Sequence, residues 1–307
     1  MRRPREDSGD DMSGAHIAMY WRKEDNNNVR CELCPHRCFI TDKSAGICGW
    51  RENRGGSLTA AGYGRVSSIA LDPIEKKPLG MFHPGKNILS VGGFGCNLNC
   101  PFCQNHEISM RRDPRGTDGG YPAPHSGRLT PEEVVELAVR TIEDGNIGVA
   151  YTYNEPLTGY EFVYDCAALV RDAGLLNVVV TNGYINKEPL EKLLPLIDAM
   201  NIDLKAFTEG FYRNVGGSLN VVKETIAVSV KSCHVEVTTL MIPGENEDDA
   251  EELSAWLASV DPDIPLHLTR FFPRYRYGDR APTPLDTMRR SRDAAKKNLK
   301  RVFTGNI

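Results

Sequence analysis

From residue 88 onward the chain repeats one pattern, in which a short apolar segment precedes a longer segment with helical periodicity. Short runs rich in β-branched and aromatic residues predict strands, whereas apolar residues at i, i+3 and i+4 predict helices. The predicted strands lie at 88–95, 148–156, 176–183, 200–207, 234–244 and 265–273, with a further short one at 302–306. The predicted helices lie at 131–145, 159–174, 187–199, in a stretch ending near 232, at 247–259 and at 284–300.

Six strand–helix units in succession predict an α/β fold with parallel strands. Connections of helical length join parallel rather than antiparallel neighbours, and such crossovers are right-handed. Thr130 and Glu133 have the spacing of a capping box and mark the start of the first long helix. The pattern is compatible with a doubly wound sheet and with a full or partial barrel.

Polar side chains at alternate strand positions favour the barrel. A parallel strand buried on both faces is usually apolar on both, and an unpaired buried polar group costs roughly 1–3 kcal/mol. A ligand inside a barrel, near the carboxyl ends of the strands, would supply the missing partners. The residues predicted to share inward faces are Asn201, Asp203 and Lys205; His267 and Thr269; and Tyr151, Tyr153 and Glu155.

Three regions of different composition predict the domain organisation. Residues 1–28 are polar and predict a disordered tail, within which Met12 and Met19 are alternative translation starts. Residues 29–87 are rich in Gly and Cys and predict a small N-terminal module, and residues 88–307 predict the barrel.

Composition excludes several classes of protein. The chain has 307 residues, a formal net charge of -4 and 40% hydrophobic residues, as in ordinary globular proteins. That charge argues against non-specific nucleic-acid binding, which needs a basic surface. No apolar run approaches the roughly 18 residues of a membrane span, and no apolar segment follows the N-terminal arginines as in a signal peptide. We therefore expect a cytoplasmic protein that does not bind membranes.

Seven of the nine cysteines fall into two tight groups. Cys96, Cys100 and Cys103 follow the first predicted strand with the spacing CxxxCxxC. Three thiolates suit a 4Fe-4S cluster with one iron left open, whereas zinc needs four ligands or three and a water. A zinc site that borrows His106 remains an alternative.

The second group has four cysteines, at positions 31, 34, 38 and 48. Four thiolates can close a tetrahedral metal site, and both structural zinc and a second iron–sulfur cluster are compatible with the spacing. We expect this metal to stabilise a module that has little core. Cys166 and Cys233 lie outside both groups and are expected to be packing residues.

These motifs resemble the radical S-adenosylmethionine (SAM) superfamily. The segments CNLNCPFCQNHEIS, YTYNEP, VVVTNG, NIDLKAF, VEVTTLMIPG and HLTRFFP, in this order, are similar to the pyruvate-formate-lyase-activating-enzyme-like group. Within that group the chain resembles the radical enzyme of the AmmeMemoRadiSam system over about residues 31–306. The resemblance implies a partial (β/α)6 barrel, the radical SAM core, with the small Cys-rich module at its N-terminus.

The resemblance also implies cofactors, chemistry and partners. Cys96, Cys100 and Cys103 would hold three irons of a 4Fe-4S cluster, and the open iron would chelate the methionine part of SAM. Reductive cleavage of SAM would then release a 5′-deoxyadenosyl radical that abstracts hydrogen from a protein glycine or from another substrate. A one-electron donor such as flavodoxin or ferredoxin is implied, and a Memo-like partner protein is possible.

Further residues are placed near the cofactor by the resemblance, each with a structural alternative. Glu155, with Asn154, would face the SAM ammonium, or it would instead cap the next helix. Thr181 and Asn182 would contact the cofactor or simply form a turn. Phe102, the aromatic residue before the third cysteine, belongs to the same predicted cofactor site.

Asp203 and Lys205 would lie near the cofactor or form a structural ion pair. His267 would be cofactor-proximal or a satisfied core residue. The family pattern commonly reads RFHP where this chain has Arg270-Phe271-Phe272-Pro273, so no role passes to Phe272.

Two functions of different class therefore remain open: a radical SAM enzyme, and a non-catalytic zinc scaffold or interaction module that uses both cysteine groups. The loop 111–128, with Arg111, Arg112, Arg115 and Tyr121, is predicted to form a lid or substrate contact. The substrate itself is not identified by the sequence.

Overall fold

The computed structural model describes residues 15–111 and 127–307. Within these residues it contains strands from two to eight residues long. They are β1 (Trp21–Lys23), β2 (Val29–Cys31), β3 (Phe39–Ile40), β4 (Arg51–Arg54), β5 (Ser57–Ala60), β6 (Arg65–Val66), β7 (Ser68–Pro73), β8 (Asn87–Gly92), β9 (Gly127–Arg128), β10 (Asn146–Thr152), β11 (Leu176–Thr181), β12 (Ala199–Asp203), β13 (His234–Met241), β14 (Leu266–Arg270) and β15 (Val302–Gly305).

The helices lie mostly between the later strands. They are α1 (His106–Ser109), α2 (Pro131–Arg140), α3 (Tyr160–Asp172), α4 (Lys187–Leu193), α5 (Glu209–Asn214), α6 (Leu219–Ser229), α7 (Ala250–Val260) and α8 (Leu285–Ala295). The predicted capping box at α2 is confirmed, since Thr130 accepts a hydrogen bond from the Glu133 amide while the Glu133 carboxylate accepts one from the Thr130 amide.

Eight strands form the main sheet, in the order β15-β14-β13-β12-β11-β10-β8-β7. β8 and β10 to β15 run parallel to one another, and β7 is antiparallel to β8. Helices follow the six strands β8 and β10 to β14, and β7 and β15 lie at opposite ends of the sheet order. The predicted partial (β/α)6 barrel is therefore confirmed, and 302–306 supplies the predicted extra strand as β15.

The two faces of the sheet bury different residues. Ile88, Ala150, Val178 and Ala199, one from each of the strands β8, β10, β11 and β12, lie on the inner face and pack with Ile74, which belongs to the segment between β7 and β8. All five side chains are fully buried. The outer face packs against the helices in a larger apolar cluster. The segment that follows β7 thus fills part of the barrel interior, against these four strands.

The N-terminal region departs from the predicted domain boundaries. Residues 15–28 were expected in a disordered tail, yet β1 pairs with β2 and Ala18 is buried. The barrel was expected to begin at residue 88, yet β7 is an edge strand of the main sheet. Both differences arise from long-range pairing that local composition does not encode.

The N-terminal module packs on the barrel through one buried ion pair. Arg51, the first residue of β4, and Glu161 in α3 are 2.8 Å apart, and both side chains are almost fully buried. Glu161 also accepts a hydrogen bond from the Met19 amide, and Arg51 donates one to the Met19 carbonyl. Removal of one partner of a buried ion pair leaves an uncompensated charge in the interior, which strongly destabilises the fold. Within the described residues no helix is long and apolar enough to span a membrane.

Candidate functional site

The loop that follows β8 carries Cys96, Cys100 and Cys103. It leaves the sheet at the carboxyl end of the first parallel strand, where ligand sites of α/β barrels lie. Gly95 precedes it with φ +81°, and a side chain at this position would overlap the indole of Trp50. Glycine is therefore required for the loop to begin its turn against the N-terminal module.

The three thiols form a sulfur-rich group near one cation. Burial raises the pKa of Cys100 to about 11, and the ammonium of Lys205 opposes that shift. Burial also raises the pKa of Cys96 and of Cys103. Thiols of this kind bind iron as thiolates, with release of protons.

This donor set fits a cluster with one open iron. Three cysteines offer three ligands, which leaves one iron of a 4Fe-4S cluster free to bind a small molecule. The ring of His106, the residue that the zinc alternative would borrow, stacks on Tyr275.

Asn154 braces the start of the cysteine loop. Its side-chain oxygen accepts a hydrogen bond from the Gly93 amide at 2.9 Å, and its amide nitrogen lies 3.0 Å from the Phe94 carbonyl and 3.1 Å from that of Gly95. These contacts use both ends of the side-chain amide. Asn154 therefore fixes the start of the cysteine loop.

Glu155 is buried at the end of β10 and caps the short helical turn Pro156–Gly159. Its carboxylate accepts hydrogen bonds from the amide of Leu157 at 3.0 Å, the hydroxyl of Thr181 at 2.8 Å and the amide of Asn182 at 2.7 Å. Burial raises the pKa of Glu155 to about 7, although these three donors act in the opposite direction. The helix-capping geometry is thus present, and the carboxylate also lies close enough to raise the pKa of the Cys96 thiol.

Asn182 lies beside the first cysteine. Its side-chain amide nitrogen is 3.5 Å from the sulfur of Cys96 and 2.9 Å from the side-chain oxygen of Asn97. Gly183 follows with φ +69° and donates to the Thr181 hydroxyl, so the expected turn is also present. The turn after β11 therefore places an amide donor against the cysteine loop.

Asp203 and Lys205 lie at the end of β12 and are 3.0 Å apart. Burial acts to lower the pKa of Lys205, but the Asp203 carboxylate, together with Cys100 and Tyr212, raises it overall, so the ammonium keeps its charge. The same ammonium favours the thiolate forms of Cys100 and Cys103. An ion pair is thus formed directly beside the three cysteines.

The expectation that Tyr151, Tyr153 and Glu155 share the inner face is wrong for Tyr151. Its hydroxyl lies 3.1 Å from the side chain of Asn177, which itself bonds to the Ala167 carbonyl on the helix side. Tyr153 has φ 73°, which breaks the strand alternation, and its hydroxyl donates to Asp72 at 2.6 Å inside the barrel.

Two other predicted site residues, Phe102 and His267, make contacts typical of a packed interior. Phe102 is buried, and its ring lies 5.9 Å from Phe211 and 6.0 Å from Tyr277. His267 does lie on the inner face, where its Nε2 is 2.6 Å from the Glu236 carboxylate and its ring stacks on Phe303. These contacts match the core alternative for His267.

Sequence reasoning missed two groups that shape this region. Asn97 joins the cysteine loop to Asn182 and donates to the Tyr184 carbonyl at 2.7 Å. Inside the barrel, Asp72 pairs with Lys77 at 2.8 Å. An asparagine between two clustered cysteines was a usable signal for the first, whereas no local pattern marks the second.

The four N-terminal cysteines also meet. Cys31, Cys34, Cys38 and Cys48 line a single cavity, which Asn97 of the cysteine loop lines as well. Of the predicted lid loop, Arg111 is described and its main-chain oxygen accepts a hydrogen bond from Trp50. Arg112, Arg115 and Tyr121 lie outside the described residues.

Comparison with known sequences identifies relatives along most of the chain. An uncharacterized protein of Methanocaldococcus jannaschii is 42% identical over 299 residues, which cover 94% of this chain and 85% of that protein. The pyruvate formate-lyase-activating enzyme of Clostridium pasteurianum is 29% identical over 53% of this chain and 67% of that enzyme.

Solved structures agree on the fold. The crystal structure of Streptococcus suis SuiB matches with a TM-score of 0.51 at 12% identity, over 71% of this chain and 48% of that chain. SuiB bound to S-adenosylmethionine matches with a TM-score of 0.50 at 14% identity, over 68% of this chain and 48% of that chain.

The family profile described as the radical SAM superfamily matches residues 90–257, more than half of the chain. This segment contains the cysteine loop, Glu155, Asn182 and the Asp203–Lys205 pair. The chain therefore belongs to the radical SAM superfamily, whose chemistry uses a 4Fe-4S cluster and S-adenosylmethionine.

Proposed function

We propose that this protein is a radical SAM enzyme of the activating-enzyme-like group, with Cys96, Cys100 and Cys103 as the ligands of its catalytic cluster. The observation that carries the proposal is the meeting of these three cysteines with Lys205 and Asn182 at the carboxyl ends of the strands. When bound, the cluster and SAM supply a 5′-deoxyadenosyl radical by one-electron cleavage of the sulfonium.

The surrounding residues have separate roles in this proposal. The Lys205 ammonium, held by Asp203, offsets part of the negative charge that three thiolates bring to a buried loop. The Asn182 amide donates toward the Cys96 sulfur, and such donors orient and tune a metal ligand. Asn154 positions the loop itself.

Glu155 is proposed to face the ammonium of SAM as well as to cap its helical turn. Three neutral donors surround the Glu155 carboxylate, and burial raises its pKa. A ligand cation would stabilise the ionised form, because a charged partner contributes more than a neutral donor. Thr181 holds this carboxylate in place through its hydroxyl.

The substrate is proposed to enter the barrel and to lose a hydrogen atom there. On the inner face, the side-chain oxygens of Asn201 and Thr238 are buried and have no hydrogen-bond partner among the described residues. A polar ligand would satisfy both. The similarity to an activating enzyme favours a protein glycine as the substrate, and a small polar metabolite is the other class that the site admits.

The partners in this proposal are a one-electron donor of the flavodoxin or ferredoxin class and the substrate protein. A Memo-like partner stays a prediction from the sequence resemblance. The alternative function, a zinc scaffold without catalysis, predicts a colourless protein that releases no 5′-deoxyadenosine.

Anaerobic incubation with SAM and a low-potential reductant tests the proposal. We expect 5′-deoxyadenosine above the level found without protein, and we expect loss of that product in Cys96→Ala, Cys100→Ala and Cys103→Ala. Cys233→Ala is the matched control, because this cysteine lies outside both clusters and its sulfur donates to the Ser229 carbonyl. Product formation that persists in any of the three variants would contradict the ligand assignment.

A further inference from the structure

Four cysteines of the N-terminal module meet although they lie in different segments of the chain. Cys31 ends β2, Cys34 and Cys38 lie in the segment that leads to β3, and Cys48 precedes β4. The Cys31 amide donates a hydrogen bond to the Cys38 carbonyl at 3.0 Å, and all four side chains line one cavity. Four thiols that share a cavity form a donor set for a thiolate-bound metal, which is one zinc ion or an iron–sulfur cluster.

Main-chain amides act on these sulfurs as they do in the Cys96 loop. Burial raises the pKa of Cys34 to about 12 and that of Cys48 to about 11, and in each case the amide two residues further on acts to lower it. The Leu98 amide has the same relation to Cys96 and lies 3.3 Å from its sulfur. Such donors favour the thiolate, the form in which cysteine binds a metal. In neither group do three sulfurs of the described residues already surround one ion, so in both the side chains would turn towards the metal as it binds.

The segment between the first two of these cysteines holds the turn that follows β11. Asn186 in that turn donates from its main-chain amide to the Leu33 carbonyl at 3.1 Å, and from its side chain to the Glu32 carbonyl at 2.6 Å. The same turn carries Asn182, whose side-chain amide lies 3.5 Å from the Cys96 sulfur. A displacement of this segment would therefore reach a residue that contacts the catalytic cysteines.

The segment between the second and third cysteines holds the Cys96 loop itself. The Nε2 of His36 lies 2.7 Å from the main-chain oxygen of Asn97, the residue after Cys96. The Asn97 side chain in turn donates to the Tyr184 carbonyl at 2.7 Å and accepts from Asn182 at 2.9 Å. His36 is thus the first link of a chain of hydrogen bonds that fixes the loop to the turn after β11.

The residues after the fourth cysteine support the other side of Cys96. Trp50, two positions after Cys48, is buried, and its ring stacks on Phe94 with the centroids 5.3 Å apart. The Trp50 indole also packs against Gly95 so closely that a side chain there would overlap it. Each of the three segments next to these cysteines therefore contacts either the Cys96 loop or the turn beside it.

We propose that the four N-terminal cysteines bind a metal through their thiolates, and that this metal holds the Cys96 loop and the turn after β11 where SAM binding requires them. Between Cys31 and Cys48 the regular structure consists of β3 alone, a strand of two residues. A metal would supply most of the order of these segments, because its binding free energy becomes folding free energy. The metal site is independent of the proposed function, whereas its effect on SAM binding rests on that function.

Elemental analysis of anaerobically purified protein tests the metal site. The measurement uses the full chain with three changes that remove the other cysteine group, which are Cys96→Ala, Cys100→Ala and Cys103→Ala. We expect this triple variant to keep about one zinc, or about four irons with about four sulfides, and either result supports the site and identifies its occupant. A folded triple variant without metal would overturn the proposal.

Two additions to the triple variant test the ligands. Cys34→Ala together with Cys38→Ala should lower the metal content to background, and both of these cysteines are only half-buried, so the changes leave small cavities. Cys233→Ala should leave the metal content unchanged. Metal that stays at full occupancy after the paired change would contradict the ligand set.

Hydrogen exchange followed by mass spectrometry tests the coupling without SAM or activity. When Cys34→Ala and Cys38→Ala are added to the triple variant, we expect peptides over 93–99 and 182–190 to exchange at least roughly tenfold faster, because their local opening becomes less costly. Peptides of α7 are the internal control and should not change. Equal exchange with and without the paired change, or an equal rise in α7, would overturn the coupling.

SAM binding by His36→Ala tests the same coupling with every cysteine in place. We expect the metal content of wild type and a dissociation constant for SAM that is about 2- to 10-fold higher, the effect of one net hydrogen bond. His83→Ala, at an exposed position, is the matched control. Unchanged SAM affinity in His36→Ala would contradict the coupling. A wild type that binds no SAM would instead refute the proposed function and leave the metal and exchange results standing.

Discussion

The imidazole Nε2 of His36 lies 2.7 Å from the main-chain oxygen of Asn97, 61 positions away in the chain. Because a carbonyl only accepts hydrogen bonds, Nε2 is the protonated nitrogen in this contact. His36 lies between two of the N-terminal cysteines, and Asn97 directly follows Cys96. This single hydrogen bond therefore joins the two cysteine-bearing segments.

Removal of the His36 donor is expected to loosen that junction. His36→Ala should lower the midpoint of thermal unfolding by about 1–4 °C, which corresponds to one net hydrogen bond of roughly 0.5–1.5 kcal/mol. His83→Ala is the matched control, because His83 is exposed. Equal midpoints for the two variants, measured anaerobically, would show that the contact contributes nothing to stability.

The ion pair between Arg51 and Glu161 is expected to dominate the stability of the interface between module and barrel. Glu161→Gln leaves a buried guanidinium without its counter-charge, which costs roughly 3–5 kcal/mol. The exposed pair of Arg140 and Glu136 gives the control, and Glu136→Gln should change stability by less than about 1 kcal/mol. Unfolding midpoints of the two variants check the contrast, and similar losses would contradict it.

Much of the fold followed from local rules. The capping box at Thr130, the alternation along β12 and β14 and the short strand β15 all depend on residues close together in sequence. The sequence also assigned Cys100 and Lys205 to one predicted site, and in the structure the Lys205 ammonium is close enough to lower the pKa of the Cys100 thiol. Local periodicity is a sufficient guide where each strand keeps regular backbone geometry.

The failures have identifiable physical causes. Tyr151 and Tyr153 were expected on one face, but the left-handed backbone of Tyr153 reverses the alternation within two residues. Residues 15–28 were expected to be disordered, but Met19 is bound by Glu161 from a distant helix. Such long-range partners are not encoded in a local pattern.

We expect the buried carboxylate of Glu236 to make the stability of the barrel interior sensitive to acid. Burial acts to raise its pKa, but hydrogen bonds from His234 and His267, with the Met81 amide, lower it to about 2. The Gly80 amide is a fourth donor. A carboxylate whose pKa is lowered on folding contributes stability above its unfolded value of 4.5, and this contribution is lost as the pH falls towards 2.

Denaturant unfolding of wild type and Glu236→Gln between pH 7 and pH 2 checks this sign. We expect the variant to be less stable at neutral pH, by about 1–3 kcal/mol for each donor left unsatisfied. The difference should be constant above about pH 5 and should shrink towards pH 2, as the wild-type carboxylate is protonated. Glu188→Gln, at an exposed position, is the control. A difference that grows on acidification would contradict the assignment.

The two roles that the position of Glu155 allows, SAM binding and helix capping, predict different effects of Glu155→Gln. If it binds the SAM ammonium, Glu155→Gln removes a charge-assisted contact of about 1.5–3 kcal/mol, so SAM affinity should fall by roughly 10- to 150-fold. The same change also replaces one carboxylate oxygen by an NH2 group, which cannot accept the hydrogen bond that a main-chain amide now donates to that oxygen. Some stability is therefore lost in either case. Stability alone therefore does not separate the roles, and affinity does.

Thr181→Val supplies the matched control for Glu155. It removes the hydroxyl that donates to the Glu155 carboxylate but leaves the carboxylate charge in place. We expect Thr181→Val to lower stability and to weaken SAM binding less than Glu155→Gln does, because the charge of the carboxylate is retained. SAM titrations of the reconstituted wild type and both variants, each with its iron content measured, make the comparison. Equal dissociation constants for Glu155→Gln and wild type would show that this carboxylate only caps its helical turn, since a buried ammonium deprived of its counter-charge could not bind as tightly.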